Sequence, residues 1–171
     1  LLGTSDNALW MVDLTCGKAV RIPADDKISA EVHPTWRHDS AGFFLITDRD
    51  SEYPYVAYYD IASATMEKRY AYSWEVELVA LSSDDRYLAV TVNEDGYFKL
   101  HIYDLANGDE VNIPQPPKGV VSGHGTLSWS PTGHKLLFTL SSGKRPESVW
   151  LLDVDADLLR AVTTADMHGL S

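Results

Sequence analysis

Apolar residues alternate with polar or aromatic residues along several short stretches of the chain. In the clearest stretch one face carries Phe98, Leu100 and Ile102, and the other carries Tyr97, Lys99, His101 and Tyr103. A period of two predicts a β-strand. No stretch keeps an apolar stripe at helical spacing; residues 155–163 come nearest and suit a strand better. Turn-forming pairs such as Asp95-Gly96 and Asn107-Gly108 separate the strands, so the sequence predicts an all-β chain of successive hairpins.

The predicted strands repeat in longer units. Four apolar strands each run into an aspartate followed by a turn, and these aspartates are Asp13, Asp60, Asp104 and Asp153, at steps of 47, 44 and 49 residues. A second landmark, a bulky residue followed by a turn and another apolar strand, occurs at Trp36, Leu81 and Trp129, at steps of 45 and 48 residues. Two independent landmarks therefore share one period. We expect the bulky landmark residues to fill the space between adjacent sheets, and Trp10 and Trp150, which share a register on the third strand, to pack between blades as well.

Repeats of about 45 residues with about four strands each are typical of a β-propeller, in which each blade is a four-stranded antiparallel meander. An immunoglobulin-type sandwich also has many short strands, but it does not produce two landmarks with a shared spacing. We predict about four blades, as an arc or partial propeller, with a partial blade at 1–28, repeats at 29–73, 74–118 and 119–165, and the start of a next segment at 166–171.

Several segments, in their order and spacing, resemble the propeller of bacterial prolyl-oligopeptidase-family serine peptidases of the acylaminoacyl-peptidase type. They are residues 48–52, 58–61, 92–97, 100–105, 119–123, 129–131 and 138–142. The resemblance covers nearly the whole chain and points to the C-terminal half of that propeller. It implies a propeller that caps an α/β-hydrolase domain and limits which peptides reach the active site.

The catalytic part of that family is absent from these 171 residues. The sequence contains no Gly-x-Ser-x-Gly nucleophile elbow, so no catalytic residue of the family can be assigned here. The chain alone is therefore not expected to hydrolyse peptides, whereas the parent protein is expected to be a serine peptidase. The chain begins at Leu1 rather than Met, which favours a fragment or a processed product.

The amino-acid composition limits the kinds of molecule that are expected to bind the chain. Lysine and arginine number 14 against 25 acidic residues, giving a net charge of −11, and no basic stripe is present. Nucleic acid and anionic membranes are therefore not expected as partners. No stretch has the length of apolar sequence that a membrane helix needs. The single cysteine, Cys16, fits a reducing compartment, so we predict a cytoplasmic protein.

One segment stands out as a candidate contact site. Lys144 and Arg145 are adjacent cations in an acidic chain, lie in a predicted hairpin between the second and third strands of their blade, and precede Pro146. His124 lies between two glycines in a loop that also contains serine. These three residues are the predicted contacts to a peptide substrate or to another domain, and a solvated loop is the alternative for the cation pair.

Other residues of chemical interest favour structural roles. Asp153, Asp155 and Asp157 begin with calcium-loop spacing, but Leu158 stands where such a loop needs glycine. Asp48, Asp50 and Glu52 are expected in a hairpin, and the repeated aspartates are expected to cap turns. The histidines lack metal-site spacing, so neither a metal nor another cofactor is expected.

The leading hypothesis is thus a non-catalytic propeller portion that gates and selects peptide substrates. Its expected partners are the missing propeller half and the hydrolase domain, or further copies of the chain through open blade faces, together with a peptide substrate. The alternative is a stand-alone propeller module, like those of the Tol system or of WD repeats, that binds a protein partner. A third possibility, a small metal-dependent hydrolase, requires a bound metal.

Overall fold

The computed structural model describes residues 7–25, 27–121 and 126–164. These residues contain fourteen β-strands and no helix, and accordingly no helix that could cross a membrane. The strands are β1 (Leu9–Val12), β2 (Ala19–Ile22), β3 (Glu31–Trp36), β4 (Gly42–Thr47), β5 (Tyr55–Asp60), β6 (Thr65–Tyr70), β7 (Glu75–Leu81), β8 (Tyr87–Glu94), β9 (Tyr97–Asp104), β10 (Glu110–Val111), β11 (Ser128–Trp129), β12 (Lys135–Ser142), β13 (Arg145–Asp153) and β14 (Leu158–Ala161). The predicted all-β class is confirmed.

The strands form four antiparallel sheets in chain order. One sheet has two strands, β1–β2, and three sheets have four strands each: β3–β6, β7–β10 and β11–β14. Each strand lies beside the next strand of the chain, which is the meander of a propeller blade. The chain divides into two compact units within β7: unit 1 is Leu1–Val79 and unit 2 is Ala80–Ser171.

The two sequence landmarks share one register in the four-stranded sheets. The aspartate that ends the third strand pairs with the first residue of the second strand in all three sheets: Asp60 with Gly42, Asp104 with Tyr87 and Asp153 with Lys135. The tryptophan that ends the first strand pairs with the second residue of the next strand, Trp36 with Phe43 and Trp129 with Leu136. The sequence period therefore corresponds to one repeated hydrogen-bonding pattern.

The repeated aspartates cap turns, as predicted. Each carboxylate accepts a hydrogen bond from a backbone N–H two or three residues later: Asp13 from Thr15 at 2.8 Å, Asp60 from Ser63 at 2.8 Å, Asp104 from Ala106 at 3.0 Å and Asp153 from Ala156 at 3.2 Å. At the first turn, the hydroxyl and N–H of Thr15 lower the pKa of Asp13 to about 2, because both hydrogen bonds favour the charged form. These carboxylates therefore bind backbone N–H groups of the chain's own turns.

The core of unit 1 lies between the β1–β2 sheet and the β3–β6 sheet. Its buried residues include Ile22, Phe43 and Leu45, and Leu9 and Met11 of β1 pack against them. The segment before β3 is held against the β4–β5 loop by polar contacts. Asp25 pairs with Arg49 and Lys27 with Asp50, and Asp48 accepts the N–H of Ala30 at 2.8 Å. Asp48 and Asp50 thus bind a neighbouring backbone N–H and a lysine, which supports the structural role predicted for this loop.

The core of unit 2 lies between two four-stranded sheets. Phe98, Leu100 and Ile102 of β9 pack with Leu136 and Phe138 of β12. Directed hydrogen bonds also join the two sheets. The indole N–H of Trp129 donates to the carbonyl of Ala80 at 3.1 Å, and the hydroxyl of Ser83 donates to the carbonyl of Pro131 at 2.9 Å. Trp129 therefore fills the space between sheets, as its repeat position predicts.

Between the same two sheets, His134 joins two turns. Its Nδ1 lies 2.8 Å from an oxygen of Asp155, its Nε2 lies 2.9 Å from an oxygen of Asp84, and its ring packs edge-on against Tyr87. Burial alone would lower the pKa of His134, but the two carboxylates outweigh burial and raise it. The hydrogen bond from His134 holds the pKa of Asp84 well below its usual range.

Trp36 and Trp10 differ from the expectation that they pack between sheets. Trp36 contacts the ring of Phe43 but remains 49% exposed, and Trp10 on β1 is 57% exposed. The sheet that precedes β3–β6 in the chain has only the two strands β1 and β2. The prediction of packing between sheets is wrong for both side chains in the described structure.

Candidate functional site

The β12–β13 hairpin carries the predicted cation pair. Leu140 pairs with Ser148, and Ser142 pairs with Arg145 after a register shift, so the connection is a tight turn at Gly143 and Lys144. The backbone N–H of Lys144 donates to the hydroxyl of Ser142 at 3.3 Å. Both cationic side chains lie in the exposed tip of the hairpin, as the sequence predicts for this loop.

Next to this hairpin lies a cavity of about 570 Å³. Lys144 and Arg145 line it together with a third cation, Lys118. Apolar surface comes from Leu140 and Trp150 and from two prolines, and hydroxyl groups come from serines and threonines of β12, β13 and the segment after β14. The volume lies within the range of about 300–1,000 Å³ that is typical of ligand pockets.

Lys118 reaches the cavity because the segment around it is fixed to two strands. The N–H of Phe98 on β9 donates to the carbonyl of Gly119 at 2.8 Å. Val120 and Ser141 on β12 exchange backbone hydrogen bonds of 2.8 and 3.0 Å. A Cβ at position 119 would lie 2.5 Å from the carbonyl oxygen of Ser141, so this close approach requires glycine.

Side-chain hydrogen bonds order one wall of the cavity. The indole N–H of Trp150 donates to the hydroxyl of Ser148 at 3.0 Å, and that hydroxyl donates to the carbonyl of Leu140 at 3.4 Å. The N–H of Val149 donates to the hydroxyl of Thr163 at 2.9 Å. Trp150 is partly buried against the unit 2 core, so its ring is held while it contributes to the cavity surface.

The charge of the cavity is opposite to that of the chain. Three of its described lining residues are cationic and none is acidic, although the whole chain has 25 acidic residues against 14 basic ones. Within the described part of the chain, neither Lys144 nor Arg145 has an acidic partner. Lys118 lies 5.0 Å from the centre of the Tyr97 ring, a cation–π contact that leaves its charge uncompensated. The cavity therefore suits an anionic group attached to an apolar one.

The structure brings together two of the three predicted residues, Lys144 and Arg145. His124 lies outside the described residues. Lys118 and Trp150 were missed as site residues, because Trp150 was assigned to packing between blades and nothing near Lys118 in the sequence marks it. Its position follows from the pairing of Val120 with Ser141, which joins segments about 20 residues apart.

Metal chemistry finds no support in the described residues. They contain no group of three or more histidine, cysteine, aspartate or glutamate side chains placed to hold a metal ion. In the calcium-like stretch, Asp153 caps its own turn and Asp155 bonds to His134, so these two carboxylates point to different partners.

The sheets and their common register define this chain as part of a β-propeller. No protein-family model matches the sequence, and no curated protein matches it. Solved structures do match. Apo prolyl oligopeptidase B from Galerina marginata aligns with a TM-score of 0.78 at 12% identity, over 98% of this chain and 24% of that one.

Two further structures broaden this likeness. A structure from a study of two prolyl endopeptidases aligns with a TM-score of 0.75 at 14% identity, over 96% of this chain and 24% of that one. TolB from Acinetobacter baumannii aligns with a TM-score of 0.65 at 14% identity, over 95% of this chain and 39% of that one. The chain thus spans about a quarter to two fifths of these proteins, and the predicted resemblance to a prolyl-oligopeptidase propeller is confirmed at the level of the fold.

Proposed function

We propose that this chain is part of the non-catalytic propeller of a prolyl-oligopeptidase-like serine peptidase, where it helps to select the peptides that reach the active site. The observation that carries the proposal is the likeness of nearly the whole chain to about a quarter of two kinds of prolyl peptidase, with TM-scores of 0.75 and 0.78. At 14% identity or less, this likeness supports the function through the fold alone.

The exposed tryptophans also support a larger parent propeller. Trp36 and Trp129 occupy the same repeat position, but Trp129 contacts a four-stranded sheet at Ala80, whereas the sheet that precedes that of Trp36 in the chain has two strands. Further strands beside β1 would cover Trp36 and complete that sheet in the same manner. We propose that the remaining half of the propeller supplies them, and that a hydrolase domain follows in the same protein.

The peptide-contact role falls to the cavity beside the β12–β13 hairpin. Lys144 and Arg145 are its exposed cations, and Trp150 and Leu140 give it apolar surface. A peptide has both kinds of group to offer, a charged carboxylate and apolar side chains. In one solved neighbour, prolyl oligopeptidase B from Galerina marginata was captured with a 35-residue substrate, so a propeller peptidase of this fold accepts a long peptide.

Fluorophosphonate labelling of a lysate of the source organism tests the parent activity. An antibody raised against this chain captures the native protein, and the label reports an active serine hydrolase. We expect a labelled band far above 19.0 kDa. Pretreatment of the same lysate with an unlabelled fluorophosphonate is the control and should remove the signal. A captured protein that carries no label, at any size, would overturn the proposal.

The second candidate is a stand-alone propeller module that binds a protein partner. The likeness to TolB supports it, because the chain also aligns with a propeller outside the prolyl peptidases, with a TM-score of 0.65. An unlabelled band at 19.0 kDa in the same experiment would favour this candidate.

A further inference from the structure

We propose that the cavity beside the β12–β13 hairpin binds the C-terminal carboxylate of a peptide and packs the last side chain of that peptide against Trp150. The choice of a peptide as ligand rests on the proposed function. The choice of a carboxylate joined to an apolar group rests on the cavity alone.

The positive charge of the cavity lining favours an anionic ligand. Lys118, Lys144 and Arg145 line one cavity in a chain whose net charge is −11, and no described lining residue is acidic. Arginine presents a fork of N–H donors that matches the two oxygens of a carboxylate, and lysine adds point charges. Nearby hydroxyl groups of Ser141 and Ser142 can donate further hydrogen bonds to the same group.

The apolar part of the cavity lining favours an apolar group beside that anion. The Trp150 ring is oriented by its hydrogen bond to Ser148, and Leu140 and Pro146 border the same space. Aromatic and aliphatic walls with a few placed polar groups are typical of small-ligand sites. Bare inorganic anions would leave this apolar surface in contact with water, whereas the last residue of a peptide covers it.

A free C-terminus suits the site better than an acidic side chain. In a C-terminal residue, the carboxylate and the side chain leave the same Cα, so a small cavity can hold both together. In an internal aspartate or glutamate, the carboxylate is itself the side chain, and the continuing backbone would have to leave the cavity on both sides. The geometry therefore predicts discrimination between a free acid and its amide.

Isothermal titration of the 171-residue chain tests this with three short peptides: Ala-Ala-Phe as the free acid, Ala-Ala-Phe as the C-terminal amide, and acetyl-Ala-Ala-Glu amide. We expect the free acid to bind at least about tenfold more tightly than either amide, since the amides lack the terminal charge. Ala-Ala-Gly free acid should bind about tenfold more weakly than Ala-Ala-Phe because it leaves Trp150 uncovered. Equal binding of free acid and amides, or of Phe and Gly termini, would overturn the proposal.

A paired set of charge variants locates the binding. The double variant Lys144→Met with Arg145→Met should lose at least about tenfold in affinity for the free acid. The control is Lys68→Met with Arg69→Met, which removes the same two charges from β6, outside the cavity. Circular dichroism verifies that both variants fold. If the control weakens binding as much as the cavity variant, general charge attraction explains the binding and the inference is wrong.

The outcome of these titrations is independent of the outcome of the fluorophosphonate labelling that tests the proposed function. Preference for the free acid without a fluorophosphonate-labelled parent would leave the cavity assignment intact and remove the peptidase. A labelled parent without that preference would leave the peptidase and remove the carboxylate site.

Discussion

Trp36 in unit 1 and Trp129 in unit 2 are the same residue at the same repeat position, yet their surroundings differ. Each ends the first strand of its sheet and pairs with the second residue of the next strand. Trp129 is partly buried and donates its indole N–H to the carbonyl of Ala80. Trp36 rests on Phe43 and is 49% exposed. The repeat position sets the strand register of each tryptophan, and the surroundings of its sheet determine how far its side chain is buried.

The cores of the two units show the same contrast. The unit 2 core lies between two four-stranded sheets, which Trp129, Ser83 and His134 also join by hydrogen bonds. The unit 1 core lies between a four-stranded sheet and the short β1–β2 pair. Its polar contacts include the hydrogen bond from Ala30 to Asp48 and the exposed ion pair of Lys27 with Asp50, and exposed ion pairs contribute only about 0–1 kcal/mol each.

The largest effect on stability is expected when one corresponding core residue in each unit is truncated to alanine. Leu45 and Phe138 each occupy the fourth position of the second strand, and both are almost fully buried. Phe138→Ala should lower the free energy of unfolding by about 3–5 kcal/mol and Leu45→Ala by about 2–5 kcal/mol, because each leaves a cavity. Urea unfolding measures the loss, and hydrogen exchange shows where it acts.

We expect Phe138→Ala to accelerate exchange mainly in unit 2 and Leu45→Ala mainly in unit 1. Equal acceleration along the whole described chain for both variants would mean that the units open together, and the contrast between them would then have no energetic meaning.

A smaller effect is expected from the two tryptophans themselves. Trp129→Phe removes the hydrogen bond to the carbonyl of Ala80, so it should cost about 1 kcal/mol in urea unfolding. Trp36→Phe keeps an aromatic ring against Phe43 and should cost less than about 0.5 kcal/mol. A loss at Trp36 as large as that at Trp129 would contradict the assignment of their surroundings.

The smallest effect concerns pH and His134. Its folded pKa is raised above the ordinary value of about 6.5, so its contribution is complete below that pH and is lost as pH rises through the folded pKa. Asp84 has a lowered folded pKa, so its contribution is present above about pH 3.9 and is lost as pH falls through the folded value. The pairing is therefore complete between about pH 4 and 6.5.

His134→Gln should cost about 1 kcal/mol at pH 6 and less at pH 9, since the bonds are to a partly exposed charged ring. Urea unfolding of both proteins at the two pH values measures the difference. A penalty for His134→Gln that does not change with pH would show that the ring acts by packing alone.

The sequence predicts the features that depend on local chain chemistry. Alternation identifies strands such as β9, the two spacings identify blades, and aspartates such as Asp60 and Asp104 cap turns because their carboxylates reach N–H groups nearby in the chain. The hairpin tip at Lys144 and Arg145 was predicted for the same reason.

Contacts between distant segments were not predictable from one sequence. The position of Lys118 depends on the Val120–Ser141 pairing, and the position of His134 depends on two turns from different sheets. The exposure of Trp36 depends on what lies beside its sheet, and a repeat pattern carries no information about that. The sequence therefore predicts the fold more completely than it predicts the residues that line the cavity.

Glycine at position 119 has a consequence for preorganisation. Because the 119–120 backbone is hydrogen-bonded to β9 and β12, the conformational entropy of this segment is lost when the protein folds. An anion entering the cavity meets a Lys118 whose main chain is already restricted, and only the lysine side chain still has to be ordered. Replacing Gly119 with a larger residue would thus transfer an ordering cost from folding to binding without removing any group that the anion touches.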